Sequence, residues 1–88
     1  MSAKFQVSAV FSIEGRGLVF QGTIVQGIIS KGMQFRVSEA KQSFRISDVD
    51  AIHGRSIPTG TIGLVVKEST ADLEVLRNYT LNQVLNVQ

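Results

Sequence analysis

Three groupings of side chains in this chain have the chemistry to do something. Gly15-Arg16-Gly17 sets a guanidinium between two residues that have no side chain, so it can approach a phosphate or an RNA backbone closely and bind it through two parallel N–H donors. Arg36 and Arg45 flank the short polar segment 38–42, and a hairpin closed there puts Phe35 by Ile46 and Val37 by Phe44. The two arginines then face each other on the outward side. Opposed like charges destabilise a strand pair by roughly 0.2–1 kcal/mol. An acidic neighbour, with Glu39 the nearest, or a bound anion is expected to neutralise them, and Lys31 belongs to the same basic face. Asp50, His53 and Ser56 supply an acid, a base and a nucleophile, but nearness in sequence does not supply the geometry of a triad, and no catalysis is expected. Glu14 reads as a surface charge or a partner for Arg16.

Composition excludes several classes. With 43% hydrophobic and 18% charged residues the chain is globular rather than disordered, collagen-like or coiled-coil. Its 88 residues make one domain, 1–88, with no boundary or repeat and room for one core. No cysteine and a single histidine leave no disulfide framework and no metal site of the thiolate or imidazole kind. The first residues run straight into an alternating segment, without the apolar stretch of a signal peptide or a membrane helix, so a cytoplasmic protein is expected. The net charge is only +2, yet Lys4, Arg16, Lys31, Arg36 and Lys41 meet only Glu14 and Glu39 before Phe44, so the first half is basic.

The elements that must carry these residues are strands. Phe5, Val7, Ala9, Phe11 and Ile13 alternate with polar positions, which predicts a strand with one buried face and Val10 as its exception. Leu18–Gln26 is rich in β-branched and aromatic residues, and Gly22 in its middle predicts a bulge, a bend or a close neighbour. Ser30-Lys31-Gly32 is a turn, and Met33, Phe35 and Val37 resume the alternation. Phe44 and Ile46 continue it, and the shift of phase to Val49 and Ile52 predicts a bend near Asp48. Ile62–Val66 is another strand. Ser69–Asp72 offers caps for about one helical turn, and Tyr79–Val87 reads as the last strand. The fold class is therefore all-β: a small closed or nearly closed antiparallel β-barrel of about six strands.

Gly15-Arg16-Gly17, followed by Gly22, Gly27 and Gly32, resembles domain 2 of translational GTPases of the elongation factor Tu type. The similarity continues through Ile46–Ile52, Ile62–Lys67 and Arg77–Leu81, so nearly the whole chain is covered in order. The resemblance implies that Phe11 matches the Phe lining the aminoacyl pocket and that Asp50 matches the acidic residue against the terminal adenosine. The acidic pair that often precedes that Phe is Ser8-Ala9 here, and the polar Asn of the family falls at Thr61.

No Gly-x-x-x-x-Gly-Lys-Ser/Thr phosphate loop occurs, so the chain is expected to bind no nucleotide, to need no cofactor and to catalyse nothing. What the resemblance implies instead is a binding module for RNA, either a tRNA acceptor end or ribosomal RNA, or for a translation factor. The alternative is a protein-interaction or regulatory module using the face that docks on a GTPase domain in the family. Exposed clustering of Val10, Val19, Val25 and Ile28 would favour that alternative.

Overall fold

The computed structural model describes residues 2–37, 42–52, 54–67 and 73–88. Glu39, His53 and the expected capping segment 69–72 lie outside the described residues. The elements are β1 (Ala3–Ile13), β2 (Gly17–Gln26), β3 (Gln34–Val37), β4 (Gln42–Arg45), β5 (Asp48–Ala51), β6 (Ile62–Val66), α1 (Leu73–Thr80) and β7 (Val84–Val87). All strand pairs are antiparallel and form one sheet in the order β4-β3-β7-β1-β2-β6-β5, curled into a half-barrel.

The curl is held from inside by three rings. Phe20 of β2 meets Phe35 of β3 edge-on at 5.1 Å and Phe44 of β4 at 5.7 Å, and the latter two rings lie 5.5 Å apart. In the sheet order β7 and β1 stand between β2 and β3, so these contacts exist only because the sheet bends back on itself. Phe5, Val7, Val37, Leu64, Leu76 and Val87 complete the same core.

Two register shifts shape β1, between Lys4 and Phe5 and between Val7 and Ala9, where Ser8 is the extra residue. The second shift corrects the alternation read from the sequence. An inserted residue moves every following side chain to the other face. Val10 is therefore buried with Val7, while Phe11 is half-buried on the outer face and Ile13 is exposed. Opposite this bulge sits Gly22, as a close neighbour requires. A Cβ there would fall on the carbonyl oxygen of Gln6 and within 3.0 Å of the Phe5 ring.

The β3–β4 hairpin has Phe35 facing Phe44, Gln34 facing Arg45 and Arg36 facing Ser43. This is two residues from the expected register, so the faces are unchanged but the arginines are diagonal neighbours rather than opposed. The physical reason is the ring stack, which needs Phe35 beside Phe44. Ile46 then exchanges its backbone bonds with Met33 and Gly32 at 2.8 Å each. Ile46 and Ser47 break the following segment, so residues 42–51 make two strands and, among the described residues, the sheet has seven rather than about six.

The expected last strand is a second correction. Leu73, Leu76 and Thr80 are spaced to line one helix face, and Leu76 and Thr80 are fully buried, so Tyr79 and Thr80 close a two-turn helix and only Val84–Val87 is strand. Asn82 takes a φ of 61° between them, a conformation Asn tolerates. The helix covers the edge of β1 that β7 leaves open. Asn82 N–H donates to the Val7 carbonyl at 2.8 Å, and Arg77 donates from Nε and Nη2 to the Val10 carbonyl at 3.1 and 2.9 Å.

Gly22→Ala is expected to lower unfolding stability by about 2–3 kcal/mol, since the obstacle is backbone and cannot swing aside. Urea denaturation checks this, and a variant as stable as the parent contradicts the close approach.

Candidate functional site

The turn joining β1 to β2 is built by its glycines. Arg16 N–H donates to the Ile13 carbonyl at 3.0 Å, and Gly15 has a φ of 82°, the third-residue conformation of a type II turn. Gly17 packs on the end of β6: an added Cβ would lie 2.9 Å from the Lys67 Cα. Arg16 is thereby aimed across β6 towards β5. Its Nη2 lies 2.6 Å from Asp50 Oδ2 and 3.5 Å from Asp48 Oδ2. Glu14, read from the sequence as a surface charge or a partner for Arg16, is exposed, and the carboxylates that pair with Arg16 are those of Asp48 and Asp50.

Cross-strand register explains the rest of this face. Phe11, Val19, Val65 and Asp48 form one row across β1, β2, β6 and β5, and Ala9, Gln21, Gly63 and Asp50 form the next. Phe11, Gly15, Arg16, Gly17 and Asp50 thus come to one side of the sheet. Val19 and Val65 are 3% exposed although they point outward, because a thin apolar layer covers them. Ile52 reaches over Gly63 to it, with its Cδ1 3.0 Å and a Val19 methyl 2.9 Å from where a Gly63 Cβ would stand.

Thr61 is not on this face. It is buried at the base of the β5–β6 connection, where its hydroxyl donates to the Pro58 carbonyl at 2.7 Å and its carbonyl accepts from Ile52 N–H at 3.0 Å. That is the bonding of a loop anchor.

The basic-face residues separate in the same way. Lys31, from the β2–β3 turn, and Arg45, at the end of β4, line a depression of about 680 Å³ together with Lys67, which follows β6. Ser43 and Ser47 also line it, the Ser47 hydroxyl donating to the Val65 carbonyl at 2.9 Å. Among the described residues no carboxylate lines this depression and none pairs with its cations. Arg36 lies outside it, along a groove between β3 and β7. The sequence alone gives little reason to place Lys67 in a site. Its one signal is that it ends the apolar run Ile62–Val66; the bonds of Gly32 to Ile46 and of Ser47 to Val65 hold its segment beside those of Lys31 and Arg45.

The two neighbouring regions have opposite electrostatic character. Arg16 with Asp48 and Asp50 sums to −1, whereas Lys31 and Arg45 sum to +2, and Lys67 lies between the two regions and lines both. An anion is drawn to the second and not to the first. No family model, no curated protein and no solved structure matches the chain.

The Arg16 side chain is 44% exposed and that of Asp50 38%, so water screens their attraction. A double-mutant cycle with Arg16→Ala and Asp50→Asn is expected to give a coupling of about 0.3–1 kcal/mol in dilute buffer that largely disappears in molar salt. A coupling that salt leaves unchanged contradicts this reading of the pair.

Proposed function

We propose that this chain is a non-catalytic module that binds single-stranded RNA, related to domain 2 of translational GTPases of the elongation factor Tu type. The observation that carries the RNA reading is the convergence of Lys31, Arg45 and Lys67, from three separate chain segments, on one depression without carboxylates among its described residues. Three cations around one depression suit a run of phosphates better than a single small anion.

The kinship is supported by the Gly15-Arg16-Gly17 turn, by Phe11 and Asp50 on one face, and by the antiparallel sheet. Full closure of the barrel belongs to the same reading. The end strands of the sheet order, β4 and β5, are separated in the chain by Ile46 and Ser47 alone. Of these, Ile46 N–H donates to Met33 and Ser47 N–H to Val65, each at 2.8 Å, so one segment is bonded to both ends. A tRNA acceptor end or an exposed ribosomal loop has the chemistry required, and the working compartment of such a module is the cytoplasm.

A second reading has its own observation. Ile24, Val25 and Ile28 are 38, 56 and 84% exposed around the end of β2, and this patch suits a protein partner such as a translation factor. Val10 and Val19, which would have enlarged it, are buried.

Fluorescence anisotropy with a labelled single-stranded RNA at several salt concentrations separates the two. Three neutralised phosphates predict a log–log slope of about −2. Replacing Lys31, Arg45 and Lys67 together by alanine is expected to flatten that slope and weaken binding at least tenfold, with folding intact because all three are exposed. RNA binding that the triple variant leaves unchanged overturns the assignment. A protein partner lost on Val25→Ser with Ile28→Ser, in the absence of RNA binding, establishes the second reading instead.

A further inference from the structure

Strands β3 and β7 are joined at one end only. Gln34 and Gln88 exchange both backbone hydrogen bonds and Phe35 faces Val87, but among the described residues no further pair forms between them. Beyond Phe35 the strands part into a groove of about 760 Å³. Four of the residues that line it carry side-chain amides, Gln34, Gln83, Asn86 and Gln88, and they stand with Arg36 from β3, Tyr79 from α1 and apolar residues such as Val84.

A primary amide presents a donor and an acceptor side by side, which is the pattern that matches the edge of a nucleobase. Among the described residues none of these four side chains is taken up by an internal hydrogen bond. Tyr79 is 45% exposed and offers a ring on which a base can stack. Base edges are accessible in this way only where RNA is unpaired. Ser43 lines this groove and also the depression holding Lys31, Arg45 and Lys67, so the two sites meet across β4.

From this placement we infer that the β3–β7 groove is a base-reading subsite for single-stranded RNA, stacking one base on Tyr79 and bonding its edge to the amides. The adjoining phosphates lie in the cationic depression. This subsite rests on the RNA reading proposed above, but it makes its own demand: binding must depend on bases as well as on charge.

Tyr79 is the chain's only tyrosine, so uniform fluorotyrosine labelling gives one fluorine resonance that reports on this groove alone. The labelled protein is titrated with a short mixed-sequence RNA and, separately, with inorganic polyphosphate, a polyanion without bases. RNA is expected to shift the resonance, and polyphosphate to bind without shifting it. Tyr79→Leu is expected to weaken RNA binding about tenfold while leaving polyphosphate binding unchanged. Asn86→Ala, on the β7 side of the groove, is a second variant that leaves the helix intact and is expected to weaken RNA binding several-fold. RNA that binds with the expected salt dependence but neither shifts the resonance nor responds to either variant overturns the subsite and leaves the RNA reading standing. Failure of both RNA and polyphosphate to bind overturns both.

Discussion

The close approach of Gly22 to the Gln6 carbonyl governs much of what the molecule presents to its surroundings. Two backbones can meet there only where a side chain is missing, and the extra residue Ser8 sits just beyond, with its hydroxyl donating to the Gln21 carbonyl at 3.2 Å. Past that point β1 has exchanged its faces. Val10 joins the core, Phe11 turns outward, and the hairpin end carrying Arg16 is delivered to the side of the sheet where Asp48 and Asp50 stand.

The same curvature brings the ends of the sheet order towards each other. Phe20 on β2 packs against Phe35 and Phe44, and the backs of those two strands bear Gln34, Arg36, Ser43 and Arg45. The inner aromatic contact and the outer polar surface are therefore two sides of one hairpin. Ring packing inside sets the register, and the register decides which charges are neighbours outside.

Much of this was legible in the residues. The turn at Gly15-Arg16-Gly17, the special role of Gly22 and the break near Asp48 follow from glycine geometry and alternation, which are local signals. The shift at Ser8 was not legible, because Ser8 and Ala9 are small enough to suit either face and odd-numbered apolar residues continue as far as Ile13. The residue types of Tyr79 and Thr80 favour strand and so hide the end of the helix. The spacing of Leu73, Leu76 and Thr80 carries the helical period, and tertiary burial overrode propensity. Lys67 was out of reach for a different reason. Its meaning depends on which strand lies next to β6, and one residue's type says nothing about that.

Strand β7 is the last element of the chain yet stands near the middle of the sheet, with β1 on one side and β3 on the other. Without residues 84–87, β3–β4 and β1–β2–β6–β5 are joined through the Ile46-Ser47 segment and the packing of Phe20 on Phe35 and Phe44, but β1 and β3 are each left with an unpaired edge. Strand β1 must wait for partners more than seventy positions away, as the pairing of Ala3 with Val87 shows. Assembly thus depends on this distant contact, and the edges of β1 and β3 stay bare until β7 is in place between them.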